Sequence, residues 1–231
     1  MSRETRSPRE RRHDGNLARI TDAAMRMVEK GGLEALSINK LAAAVDYTPG
    51  ALYRYFGSKD ALLAALVLRV LEDVRADVER ATSRLGPKAS PLARLLAMVH
   101  GYREFARRRP HRFGLLAVTM ADPRVLLSEP EAAGPVAVAT MNVFRPLADA
   151  LLEAERAGQL SPGDVAERTV AVFALLQGLL QLNKQARFAP EVLDTARLAV
   201  FGTRSLLLGW GARPRAVDVA IERAASLGRD A

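Results

Sequence analysis

Ser37-Ile38-Asn39-Lys40-Leu41-Ala42-Ala43-Ala44-Val45-Asp46-Tyr47-Thr48-Pro49-Gly50-Ala51-Leu52-Tyr53-Arg54-Tyr55-Phe56-Gly57-Ser58-Lys59-Asp60 is the stretch from which the fold can be read. Ser37 is a good helix N-cap, and Ile38, Leu41, Ala42 and Val45 recur at three- and four-residue spacing. Asp46-Tyr47 breaks that helix. Thr48 is a second N-cap, Pro49 sits at the favoured first helical position, and Leu52 and Phe56 share one face. Gly57 ends this helix, and Ser58 caps a longer one spanning 59–85. Two short helices around a tight turn make a helix-turn-helix. In such a unit the second helix enters the DNA major groove, with its N-terminal end near the base edges. Small residues at 48–51 let the backbone come close. Amide groups at this helix start can face phosphate oxygens. Tyr53 offers a hydroxyl, Arg54 a planar fork of donors and Lys59 a point charge.

Upstream, Leu17, Ile20, Ala24, Met27 and Val28 mark another helix, capped at Asp14 or Asn16 and ended by Gly31-Gly32. Residues 1–13 hold five Arg against two Glu and are expected to form a disordered basic arm. Arg9, Arg11 and Arg12 are candidates for a minor-groove contact, and a solvated tail is the simpler reading.

Downstream the helical period continues. Expected helices span 92–109, 136–157 with a kink at Pro146, 163–187, 191–209 and 215–227. Pro110 and Pro123 bracket a short apolar piece, and 130–135 reads as a loop or helix start. No strand alternation is convincing, so the chain is expected to be all-α. The 231 residues are 49% hydrophobic and 26% charged, an ordinary globular composition. Zero cysteines exclude disulfides, thiolate nucleophiles and Cys-ligated zinc. A formal charge of +8 permits a polyanionic partner. No apolar run approaches the roughly 18–20 residues of a membrane span, and the N-terminus lacks the apolar core of a signal peptide. Cytoplasm and no membrane partner are therefore expected. G-x-S-x-G, G-x-x-x-x-G-K-[ST] and H-E-x-x-H are all absent. The three histidines form no metal spacing. No enzyme, cofactor or metal is expected.

Leu41-Ala42, followed by 48–62, resembles the DNA-binding signature of the tetracycline-repressor (TetR) family. The helix from Ile20 to Glu29-Lys30-Gly31-Gly32 is similar to that family's first helix. The resemblance covers roughly 14–66. It implies an N-terminal three-helix DNA-binding domain at 14–60 and a C-terminal helical ligand-binding and dimerisation domain at 61–231. Thr48, Tyr53 and Lys59 match positions that usually hold phosphates. Gly50, Ala51 and Arg54 match positions that approach bases or the backbone beside them, and Pro49, small and at the helix start, is a further candidate DNA contact. Tyr55 matches the aromatic end of the recognition helix, where packing is as good a reading as DNA contact. Three departures stand out. Asp46 replaces the usual turn glycine, but Asp tolerates a left-handed backbone. Tyr47 stands where Val is common. Ala51 replaces a hydroxyl residue, which points to contact with a thymine methyl.

The resemblance further implies a homodimer through helices 163–187 and 191–209, bound to a palindromic double-stranded DNA operator. An unknown small-molecule effector would release it, acting through the helix at 59–85. Small residues Ala171, Ala174, Gly178, Gly202 and Ser205 permit close helix approach, although they serve an intrachain core equally well. Candidate effector contacts are His100, Tyr102, Phe105, Met120, Met141, Phe144, Phe173, Gln177 and Gln181. The last two are one turn apart. Arg103, Arg107, Arg108, Arg109 and Arg112 read most simply as a solvated basic surface, with an acidic-ligand anchor or a second DNA contact as alternatives. The competing function is a non-inducible architectural or co-regulatory DNA-binding protein whose C-terminal domain only dimerises or recruits a partner.

Overall fold

The computed structural model describes residues 7–121, 127–186, 188–189 and 191–227. Among these there are α-helices and 3-10 turns and no strand. Helix α1 (Pro8–Gly31) begins well before the expected start near residue 17. Its cause is a capping box: the Glu10 N–H donates to the Ser7 hydroxyl at 3.2 Å and the Ser7 N–H to the Glu10 carboxylate at 2.7 Å. Pro8 occupies the first turn, where a missing N–H costs nothing. Residues 8–13, expected as disordered arm, are therefore helical. Residues 1–6 of that arm lie outside the described residues.

Helix α2 (Ile38–Ala44), α3 (Pro49–Phe56) and α4 (Lys59–Ser83) follow. Asp46 adopts φ 58° in the turn between α2 and α3, the left-handed conformation expected there. The Thr48 hydroxyl caps α3 by accepting the Ala51 N–H at 3.2 Å. Ser58 caps α4 by accepting the Ala61 N–H at 3.0 Å. Helices α5 (Pro91–Arg108), α6 (Pro110–Ala121), α7 (Pro130–Arg156), α8 (Val165–Gln181), α9 (Thr195–Gly209) and α10 (Pro214–Ser226) complete the chain. Segment 130–135 is part of α7 rather than a loop, and Pro135 and Pro146 both lie inside it. Helix α8 ends at Gln181 and passes into a 3-10 turn, Leu182–Lys184. Pro123, Arg187 and Pro190, expected at helix ends, lie outside the described residues.

The chain divides into two compact units. One comprises residues 1–70 and 109–137. Its core holds Ile20, Ala24 and Val28 of α1, Leu41 of α2, Leu52 of α3, Leu62 and Leu66 of α4, and Phe113 and Leu116 of α6, all buried. Helix α6 packs on α1, and Arg112 of α6 bonds Glu29 of α1 at 2.8 Å. The other comprises residues 71–108 and 138–231. There α10 packs on α5, and α8 on α9. Leu95, Phe105, Leu151, Val172 and Leu207 are fully buried in it. Each core follows from the apolar stripes of its helices.

Candidate nucleic-acid interface

In the first unit, α3 is held by one face and open on the other. Leu52 is 2% exposed and anchors the helix, while Thr48, Pro49, Gly50, Tyr53 and Arg54 are exposed. Lys59, at the first turn of α4, is exposed as well. A Cβ at Gly50 would meet nothing within 4 Å. Its value is therefore the close approach it allows from outside. In this first turn Pro49 has no N–H and the Ala51 N–H is taken by Thr48, which leaves the Gly50 N–H to face outward. Thr48 uses an oxygen lone pair in the cap, which leaves its O–H able to donate outward. The arrangement can grip phosphates through Thr48, Tyr53 and Lys59 while Arg54 presents its guanidinium.

Two expected contacts are placed differently. Ala51 is 6% exposed, and its methyl faces the packing of the helix. A residue two positions after exposed Pro49 lies about 200° around the helix from it, so it faces inward. Tyr55 is half-buried. Its hydroxyl accepts from the Asn16 amide at 3.1 Å and lies 3.4 Å from the Tyr47 hydroxyl. Its ring stacks on His13 at 5.2 Å and on Tyr47 at 5.7 Å. The Arg19 guanidinium sits 5.3 Å from the Tyr47 ring centroid. Tyr55 thus ties the recognition helix to α1 and to the turn. Its partner His13 was not singled out from sequence, and Asn16 was read only as a candidate helix cap. Nothing in the spacing of α1 signals a contact 39 residues away.

The start of α4 is also clasped. The Asp60 carboxylate accepts from the Ser128 N–H at 2.8 Å, the Ser128 hydroxyl at 2.9 Å and the Glu129 N–H at 3.3 Å. These bonds, the Ser128 hydroxyl first, hold its pKa below the ordinary carboxylate value. The Ser58 hydroxyl donates to Glu129 at 2.6 Å.

The second unit gathers five of the expected effector residues. Tyr102 donates to the Gln177 side-chain oxygen at 2.7 Å. Its ring lies 6.4 Å from both Phe105 and Phe173, and Phe173 lies 4.8 Å from Phe144. Burial pushes the Tyr102 hydroxyl pKa up, so it stays a neutral donor. Gln177 is 7% exposed, and its amide nitrogen has no hydrogen-bond partner. Four expected residues stand apart. His100, two residues and some 200° from Tyr102, faces the opposite side of α5, where it lines a separate cavity. Met141 and Gln181 are exposed, the latter as the last residue of α8. Met120 is exposed on α6, in the first unit. Among the described residues no group of His, Asp and Glu is disposed to hold a metal, and no helix is long and apolar enough to cross a membrane.

Comparison with known proteins places these features. Residues 20–66 match the family model of bacterial regulatory proteins of the tetR family, and residues 95–206 match that of the tetracyclin repressor-like C-terminal domain. The HTH-type transcriptional repressor KstR of Mycolicibacterium smegmatis is 37% identical over 92 residues, 40% of this chain. The match spans 44% of that relative's length. A protein of unknown function from Rhodococcus sp. RHA1 superposes with a TM-score of 0.67 at 22% identity, covering 86% of this chain and 96% of its own. The TetR family transcriptional regulator PfmR from Thermus thermophilus gives 0.57 at 21% identity, covering 84% and 100%. At these identities the solved structures speak for the fold.

Proposed function

The chain belongs to the tetR family of bacterial regulatory proteins, and from that premise we propose that it is a homodimeric transcriptional repressor, released from a palindromic operator by a small-molecule effector. Family membership makes it a DNA-binding regulator rather than an enzyme. The observation that carries the reading is the exposed N-terminal half of α3, pinned from below by Leu52. Thr48, Tyr53 and Lys59 take phosphates. Pro49 and Gly50 let the backbone approach, and Arg54 reads a base edge. Ala51 acts by packing small beneath them, and Tyr55 by orienting the helix. Arg9 and Arg12, on the helical extension of α1, add positive charge. A regulator of this kind works where the chromosome is, in the cytoplasm.

Dimerisation is assigned to α8 and α9. Val170 is 57% and Phe201 65% exposed, and Ala174, Gly178 and Ser205 are exposed small residues beside them. A two-fold axis through such a face repeats the reading head on both half-sites of a palindrome. The effector site is assigned to Tyr102, Phe105, Phe144, Phe173 and Gln177. The unpartnered Gln177 amide favours a sensor over the purely architectural alternative, because a buried donor without an acceptor is costly and a ligand carbonyl would satisfy it. Helices α4 and α7 each start in the reader unit and end in the sensor unit. A change in the sensor therefore has continuous helices to act through. To move the population from 99:1 to 1:99, the ligand must prefer the released state by about 10⁴-fold.

Affinity selection of genomic fragments by the purified protein, followed by footprinting, tests the reading. Protection of a palindrome over two half-sites is expected. Weak, salt-sensitive and sequence-indifferent binding would overturn it in favour of the architectural role.

A further inference from the structure

On the face of α5 opposite the aromatic cluster, an open cavity of about 260 Å³ is lined by Asp77, Arg80, Arg84, His100, Glu104, Arg107 and Arg108, with Leu227 closing one end. Gly101 forms its floor. A Cβ there would come within 3.0 Å of the Asp77 carbonyl oxygen and of Val78 Cα, so only glycine lets α5 lie this close to α4. Four guanidiniums thus surround one small space, against two carboxylates.

The carboxylates orient the arginines. Asp77, whose side chain is 1% exposed, bonds Arg80 and also Arg108, the latter at 3.4 Å. A carboxylate buried so deeply is a fixed anchor, and it sets two forks on the cavity wall. Glu104 holds Arg107 through contacts of 2.8 and 3.1 Å, and the Arg107 bond keeps its pKa low, so it is ionised. Arg84 reaches the Leu227 carbonyl at 3.5 Å, a neutral acceptor. Two positive charges remain without a matching carboxylate in the lining. His100 stands among them half-buried, and burial lowers its pKa.

We propose that this cavity binds a compact oxyanion, a small molecule bearing a phosphate or paired carboxylates, at a second site distinct from the aromatic cluster. Guanidinium forks match the planar edges of such groups. The volume equals roughly nine waters at ~30 Å³ each and lies just below the usual range of organic-ligand pockets. That favours a small polyanion over a larger metabolite. Concavity favours it over the duplex backbone, which is a convex ridge. Bound negative charge also stabilises the imidazolium of His100 against the opposing Arg84, Arg103 and Arg107 and beside Glu104, Asp77, Arg80 and Arg108. Binding therefore raises the His100 pKa and takes up a proton there. This site stands independently of the repressor reading.

Titration of the full chain with inorganic phosphate and with citrate, at ionic strength held by chloride, tests the proposal. Isothermal calorimetry gives affinity, and the ¹⁵N-imidazole signal of His100 gives location. Phosphate raises melting temperatures of many proteins by exclusion from their surfaces, so melting alone is not used. The expected result is saturable binding, a shift confined to the His100 signal with a raised pKa, and at least tenfold weaker binding in Arg84→Gln and in Arg107→Gln. Both variants keep Arg80 and Arg108, which bond buried Asp77, so both should remain folded. Absence of saturable binding, wild-type affinity in both variants, or shifts of His13 and His111 equal to that of His100 would each overturn it. So would loss of DNA affinity in the two variants without loss of phosphate binding, which would make the patch a DNA contact.

Discussion

Asp46 carries a positive φ of 58° where a glycine would sit without strain. Asp46→Gly should leave stability unchanged or raise it by up to about 1 kcal/mol, whereas Asp46→Val should lose about 1–2 kcal/mol. Urea unfolding of the three proteins would decide this. At the other end of α3, Lys59 is exposed and able to face a phosphate. Lys59→Ala should reduce the slope of log affinity against log salt by about 1.8, roughly 0.9 for each of two subunits, with sequence preference unchanged. A retained slope would remove Lys59 from the contacts. In the second unit, Tyr102 and Gln177 form a buried polar pair. Tyr102→Phe and Gln177→Leu should each destabilise by about 1–3 kcal/mol, and the double variant by less than their sum, since removing both partners leaves less unsatisfied. Additive losses would mean that the bond contributes nothing. The polar and aromatic character of these residues was legible in the sequence. Their mutual contact was not, since they lie 75 positions apart.

Elements show where local signals suffice and where they do not. Caps at Thr48 and Ser58, the stop at Gly57 and the proline at 49 were all readable, because each acts within four residues. The beginning of α1 departs from what its charge run suggests. Arginines there look like a solvated tail, yet Ser7 and Glu10 satisfy the helix end between them. The clasp at the start of α4 is purely tertiary, joining Asp60 to Ser128. Because Asp60 has a lowered pKa in the folded state, its contribution is present above the ordinary carboxylate value and is lost as pH falls through the lowered one. The stability difference between wild type and Asp60→Ala should therefore be constant from about pH 5 to 8, on the order of 0.3–1 kcal/mol for a carboxylate at a helix start. It should shrink below about pH 4. A difference that persists in strong acid would show that packing, not charge, is lost.

For the molecule as a whole, the open apolar faces of α8 and α9 matter most. Large side chains left in water at Val170 and Phe201 are costly unless a partner covers them. Phe201→Glu should yield a monomer by sedimentation velocity and weaken operator binding by a hundredfold or more, with the helical content unchanged. A dimeric Phe201→Glu protein would move the interface elsewhere. Sequence offered small residues on these helices, but an intrachain core and an interface use the same residue types. Exposure separates them, as with Leu176, buried at 5%, against exposed Val170 on the same helix.

Read without coordinates, the chain already declares that it is helical, where its reading helix lies, and which residues cap and turn around it. These are consequences of backbone sterics and hydrogen bonds made within a few residues. Packing settled the remainder. It turned Ala51 and Tyr55 inward, divided the effector candidates between a buried cluster and exposed positions, and placed His100 in a basic cavity on the far side of α5. The physical reason is that burial depends on which helix faces meet across the chain. Neighbours along the chain do not encode that.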